Sequence, residues 1–184
     1  MRNTESFWYK NRHRLATSYR SDYLGRYMIG EDLKKGSSIM QDAYKLYEDL
    51  AECSQHLSWS EIRRFIRDQG RWSIALFGVS ENNLRPLYGI QPKNAHICSM
   101  GSNLRRMLGD WRGEDQKQFP NEEILHRGSV MQTLVIDTDR PVASSSAYRD
   151  MGDQVVQLET AWVKLPITDR TEPVICTFAH VSFE

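Results

Sequence analysis

Gln154-Val-Val-Gln-Leu-Glu-Thr-Ala-Trp-Val-Lys-Leu165 and, after a turn, Pro173-Val-Ile-Cys-Thr-Phe-Ala-His-Val-Ser-Phe183 are the stretches whose reading decides the fold. In the first, Val156, Leu158, Thr160 and Trp162 fall on one face of an extended chain. Val155, Ala161, Val163 and Leu165 mark the other face, interrupted by Gln157 and Glu159. In the second, Ile175, Thr177, Ala179, Val181 and Phe183 alternate with Val174, Cys176 and Phe178. Arg140–Arg149 precedes them as a third strand candidate. Turn residues separate the three, Asp150-Met-Gly-Asp153 and then Thr168-Asp-Arg-Thr-Glu-Pro173, with Pro166 ending the middle strand. Strands that are apolar on both faces need a cover on both faces. The expectation is an antiparallel meander, with the rest of the chain supplying its two covers.

Upstream of the meander, Asn121 opens a helix in which Ile124, Met131, Leu134 and Val135 recur at helical spacing. Gly128 weakens that helix, and the Val, Thr and Ile residues of the run Val130–Ile136 also suit a strand. Ser102–Gly109 reads as a short helix with a serine cap and a terminal glycine, followed by a turn at Trp111-Arg-Gly113. Trp72–Val79 and Ala95–Met100 are two more strands, with Leu84–Ile90 extended around Pro86. The first 70 residues read as helices. Residues 5–28 put Leu15, Tyr19, Tyr23 and Tyr27 on one stripe, among several arginines. Ser38 and Gln41 form a candidate capping box for a second helix, whose Ile39, Ala43, Leu46, Leu50, Cys53 and Leu57 follow a coiled-coil seam. A second box, Ser58-Trp-Ser-Glu61, opens a short helix carrying Ile62, Phe65 and Ile66 up to Gly70. The order predicts an α+β fold: one five-stranded antiparallel sheet with short helices on one face and a helical N-terminal extension. Residues 1–70 form the extension and 71–184 the sheet domain.

A chain of 184 residues buries about 70% of its unfolded surface, so it needs no disulfide or metal to hold it. Its formal net charge is zero, which supplies no bulk field to attract nucleic acid. Arg63-Arg64 and Arg105-Arg106 are isolated pairs and make no continuous basic stripe. Cys53, Cys98 and Cys176 are an odd, widely spaced set without CxxC, the pattern of reduced thiols. No apolar run is long enough to span a membrane, and Met1–Arg14 lacks the apolar core of a signal peptide. A cytoplasmic protein is expected. Two amphipathic stripes precede the sheet and only one is needed as its second cover, so the other predicts a homodimer. Tyr19, Tyr23, Tyr27, Leu46 and Leu50 are the candidate contact residues. An anionic membrane surface would also suit the arginine-flanked aromatic stripe, but its tyrosine hydroxyls and short length favour a protein partner.

Ile97-Cys-Ser-Met-Gly-Ser-Asn-Leu-Arg-Arg-Met-Leu-Gly109 followed by Trp111-Arg-Gly113 resembles the strand, glycine and short-helix passage of a PAS domain, in its divergent proteobacterial single-domain branch. Thr138-Asp-Arg-Pro-Val142 resembles that branch's strand opening. Glu159-Thr-Ala-Trp-Val-Lys-Leu-Pro-Ile167 and Thr168–Val174 resemble its next strand and the turn into the last one. The likeness covers roughly residues 72 to 183. The stretch holding Pro86 and Pro92 and the long helical N-terminus depart from the pattern. The resemblance implies a signalling module with a pocket between sheet and short helices, a flanking-helix dimer, and output through a separate protein such as a kinase or regulator. Trp111, Met131, Leu134, Trp162 and Phe178 are the candidate pocket residues, taken from helix and strand faces.

The sequence lacks phosphate-binding glycine loops and a GxSxG elbow. Ser144-Ser-Ser146 reads as a polar strand edge. Glu122-Glu123 reads as a helix-start pair favoured by the dipole. The five histidines show no HExxH or regular ligand spacing, so no metal site is expected. His126 is the one residue placed like a haem ligand in haem-binding PAS proteins, but nothing else supports haem, and no cofactor is expected. A non-catalytic sensory or adaptor protein is the leading expectation. The alternative is a small α+β enzyme using an acid–base pair such as His180 and Glu159.

Overall fold

The computed structural model describes residues 26–52, 57–68, 73–80, 94–102, 105, 110, 112–114, 122–149, 155–167, 169 and 171–183. The three C-terminal stretches are strands β4 (Val142–Arg149), β5 (Val155–Leu165) and β6 (Val174–Phe183), paired antiparallel in chain order. Strands β2 (Ser73–Ser80) and β3 (Asn94–Met100) form a second antiparallel pair. β2 joins it to the free side of β6. Among the described residues the sheet order is β1-β4-β5-β6-β2-β3, six strands where the sequence suggested five.

The additional strand is β1, Arg26–Ile29, whose first three residues fall in the last turn of the helix expected over residues 5–28. The correction has a local cause. β4 offers an unpaired edge, and Arg26–Ile29 satisfies it with the register Arg26↔Ser145 to Ile29↔Val142. Gly30 then turns the chain out of the sheet at φ 61, and its N–H donates to the Pro141 carbonyl at 2.8 Å. Tyr27 therefore sits in a strand, while Tyr19 and Tyr23 lie outside the described residues. A single 3-10 helix, Gly30–Lys35, follows and buries Leu33.

Cross-strand partners share a face, so the register sorts the two covers. Ala143↔Ala161↔Phe178 and Val163↔Cys176 belong to one face, Val142↔Trp162↔Thr177 and Ile175 to the other. Helix α1 (Ser38–Glu52) covers the first face, where Ile39, Met40, Ala43, Tyr44 and Leu46 are buried in one core with Ala161, Val163, Cys176 and Phe178. Each large side chain fully buried there stabilises by roughly 1.5–3 kcal/mol. The exposed Lys34–Glu48 pair at 3.0 Å is a minor addition. The stripe read as a coiled-coil seam thus packs inside its own chain: Ile39, Ala43 and Leu46 are buried and Leu50 is half-buried against the same core. This corrects Leu46 as a dimer-contact residue, because the sheet needed a cover and this stripe was the nearest. The segment read as an N-terminal extension therefore gives the sheet both a strand and a covering helix.

Helix starts are resolved locally. α1 begins at Ser38, so the expected Ser38–Gln41 box is displaced: Gln41 Nε2 donates to the Gly36 carbonyl at 2.9 Å. The second box forms as expected at helix α2 (Trp59–Asp68). Ser58 N–H and Oγ both reach Glu61 Oε2 at 2.7 Å, and Glu61 N–H donates to Ser58 Oγ at 3.4 Å. These bonds hold the Glu61 carboxyl below its ordinary range, the Ser58 N–H contributing most. Ile62 of α2 is buried in the α1-side core.

Helix α3 (Glu122–Thr138) covers the opposite face. Its β-branched run stays helical, since Val130, Met131 and Val135 pack against Val142, Trp162 and Ile175. Thr133 and Thr138 hydroxyls donate to the carbonyls four residues back at 2.8 and 2.7 Å. Helices therefore lie on both faces. Ser144 is not at an edge: β4 lies between β1 and β5, and Ser144 Oγ is 3.0 Å from Thr160 Oγ1.

Candidate functional site

The edge strand β3 brings reactive side chains together. His96 and Cys98 are two residues apart on β3, where the register slips at Cys98 (Ile97 pairs with Phe77 and Ser99 with Leu76), and this bulge leaves the Cys98 side chain beside the His96 imidazole. At the level of His96 the sheet runs Leu165↔Val174↔Gly78↔His96. Gly78 puts no side chain between His96 and the β6 end, which leaves the imidazole a path toward the turn before β6. There Glu172 Oε1 lies 3.3 Å from His96 Nε2, which is also 3.4 Å from Cys98 Sγ. The three donor atoms lie within 4.8 Å of one another, and all three residues are half-buried.

The β5–β6 turn that carries Glu172 is fixed at its other end by the helical layer. Leu57 N–H donates to the Pro166 carbonyl at 3.0 Å, and Leu57 bridges Ile167 in parallel. The Asp169 carboxylate accepts the Trp59 N–H at the start of α2, with oxygens at 3.1 and 3.3 Å. Pro173 disfavours helical backbone at Glu172. The turn is thus held between α2 and β3.

Beside this cluster a shallow groove of about 400 Å³ is lined by Trp59, Cys98, Ser99, Asp110, Arg112 and Gly113. Its outer wall is the chain after β3, which folds back along that edge. Gly113 N–H donates to the Ile97 carbonyl at 2.7 Å, and Ile97 N–H donates to the Glu114 carbonyl at 3.0 Å. Gly113 has φ 84, which suits glycine in this turn. The return segment satisfies edge groups that would otherwise be open for pairing. Asp110 is gripped by Arg112, whose Nε donates at 2.8 Å and whose backbone N–H donates at 3.2 Å. The guanidinium holds the Asp110 carboxyl below its usual range, and Asp110 raises Arg112 in turn. The groove floor therefore offers a thiol and a hydroxyl next to a mutually compensated ion pair.

The residues expected from the sequence lie elsewhere. Met131 and Trp162 are buried, and Leu134 half-buried, in the core between α3 and the sheet. Phe178 belongs to the α1-side core. Grouping it with Trp162 was an error of facing: the register pairs Trp162 with Thr177, which turns Phe178 to the other side. Trp111 lies outside the described residues, and α3 carries His126 at a position whose side chain is not described. His180 and Glu159 are direct cross-strand partners, with Nδ1 4.0 Å from Oε2. They are 50% and 26% exposed and stand apart from the groove. The cluster of His96, Cys98 and Glu172 was missed from sequence. The His-x-Cys spacing on a strand was its legible part. Among the described residues no helix is long and apolar enough to cross a membrane.

Comparison of the chain with family models, with curated proteins and with solved structures gives no match.

Proposed function

We propose that the chain is a PAS-like sensory or adaptor domain of signal transduction, which binds a small ligand or a partner signalling protein and performs no catalysis of its own. The observation that carries this reading is the order in which the sheet is assembled: a hairpin, a helix, then a three-stranded meander, with β2 paired to β6 so that hairpin and meander form one surface under α3. That order and the α3 position agree with what the sequence resemblance implies. Polar groups are also enclosed on the α3 face. Ser129, Gln132 and Thr133 of α3 are buried, as is Thr177 of β6, while Thr160 Oγ1 accepts the Trp162 indole N–H at 3.0 Å. A mostly apolar interior with a few oriented polar groups is the usual composition of a small-molecule site. The ligand region is assigned to this face, around Met131, Leu134 and Trp162. Output passes to a separate cytoplasmic kinase or regulator, from a homodimer formed through the stripe that includes Tyr19 and Tyr23.

The test combines native mass spectrometry with an absorbance spectrum of the purified full chain. The expected result is a dimer mass carrying a small molecule that denaturing conditions release, and no Soret band. Met131→Trp, which crowds the α3 face, should abolish that added mass while the far-ultraviolet circular dichroism stays native. A monomer that carries nothing and gains nothing from a metabolite library would overturn the reading. A stoichiometric Soret band lost in His126→Ala would replace it with a haem sensor.

A second reading, a small α+β enzyme, draws on the cross-strand placement of His180 beside Glu159. The pair is separated by 4.0 Å and stands apart from the groove. A turnover that is lost in both His180→Ala and Glu159→Gln would establish it.

A further inference from the structure

We propose that His96, Cys98 and Glu172 form a binding site for a thiophilic divalent cation of the zinc class. The site is independent of the sensory reading above, lying on the opposite face of the sheet from α3 and sharing none of its residues.

The donor set is the first reason. An imidazole nitrogen, a thiolate sulfur and a carboxylate oxygen together suit zinc, and the thiolate disfavours magnesium or calcium, which take oxygen ligands. The separations are the second. With Zn–N and Zn–O near 2.0–2.2 Å and Zn–S near 2.3 Å, tetrahedral geometry places neighbouring donor atoms roughly 3.3–3.6 Å apart. His96 Nε2 stands 3.3 Å from Glu172 Oε1 and 3.4 Å from Cys98 Sγ. The third edge, between Sγ and a Glu172 carboxylate oxygen, is within 4.8 Å and closes by rotation of the Glu172 side chain.

Pre-organisation is the third reason. Two ligands ride on one paired strand, and the third is on a turn fixed by Leu57 and Trp59 through Pro166 and Asp169. Binding therefore orders little new backbone. It replaces the Cys98 thiol proton, which leaves to solvent, and takes His96 neutral through Nε2 with its proton on Nδ1. The thiolate and carboxylate charges balance the cation. Three protein ligands leave the fourth position to water or an incoming donor. Cys98 also lines the groove of Trp59, Asp110 and Arg112, so a donor atom of a groove-bound molecule could take that position. The bound metal would tie the β2–β3 hairpin to the β5–β6 turn.

The experiment is titration of the full-length, reduced, metal-free protein with cobalt(II), a spectroscopic stand-in for zinc. One equivalent should produce tetrahedral d–d bands and a thiolate-to-cobalt charge-transfer band. Zinc should displace both, and excess magnesium should displace neither. Cys98→Ser should remove the charge-transfer band, whereas Cys53→Ser should keep it. His96→Ala and Glu172→Gln should each weaken binding by at least about 10-fold. Circular dichroism of each variant checks the fold, and the half-buried Cys98→Ser change is isosteric enough to retain it. Octahedral cobalt spectra without charge transfer would overturn the proposal. So would a charge-transfer band that survives in Cys98→Ser, or an affinity untouched by His96→Ala and Glu172→Gln.

Discussion

Helices α1 and α3 cover opposite faces of one sheet, and they do it with different kinds of surface. α1 has an apolar stripe toward the sheet and a polar side in water: Ile39, Met40, Ala43, Tyr44 and Leu46 are buried, while Lys45, Glu48 and Asp49 are exposed. α3 is buried at five consecutive positions, 129 to 133, and again at Val135. Five in a row wrap more than one turn, so the sheet alone cannot account for their burial. Three of them, Ser129, Gln132 and Thr133, are polar. A helix that only caps a sheet needs one apolar face, whereas one enclosed on several sides brings polar groups inside, where each requires a partner. The α1 face is built for stability. The α3 face encloses polar groups along with its apolar core.

The largest expected effect tests the α1 side. Leu46→Glu combined with Leu50→Glu places carboxylates in an apolar core, and should destabilise the chain by more than about 4 kcal/mol. Urea unfolding and sedimentation together read the outcome. A variant that keeps its unfolding midpoint and merely loses its dimer would mean that the α1 stripe joins two subunits, which would break the comparison.

The α3 side should respond through packing and hydrogen bonding together. Trp162→Ala is expected to cost about 3–5 kcal/mol, because the ring is buried under Val130, Met131 and Val135. Trp162→Phe keeps most of the packing and loses the N–H bond to Thr160 Oγ1, so a smaller loss of about 1–2 kcal/mol is expected. Equal losses in the two variants on chemical unfolding would show that the polar partner matters more than the ring.

The smallest effect belongs to the start of α2. The Glu61 carboxyl is held below its ordinary range by Ser58, so its contribution is present above the unfolded carboxylate range and is lost as pH falls through the depressed folded value. Thermal unfolding of the wild type should therefore weaken more on acidification than that of Glu61→Gln. Parallel pH profiles would show that the capping box does not steady this end of the α1-side layer.

Alternation in Val155–Leu165 and Val174–Phe183 was enough to identify the meander and its need for two covers, because side-chain facing in a strand has a period of two that any sequence displays. The box at Ser58 and Glu61 was legible for a similar reason: it is a local bond between residues three apart. The Ile39–Leu57 periodicity gave a helix but not its partner, since one-sided packing on a sheet and a coiled-coil seam ask for the same residues. Arg26–Met28 was read as the end of a helix because its strand state depends on the open edge of β4, over a hundred residues away in the chain. Phe178 was assigned to the wrong side of the sheet because alternation orders residues within one strand and leaves the phase between strands to the register. The site shows the same division. The strand that carries His96 and Cys98 was legible, but their meeting depends on the register slip at Cys98. Glu172 joined them only through the order β6-β2-β3, in which a glycine at position 78 leaves the space between, and no local pattern encodes that meeting.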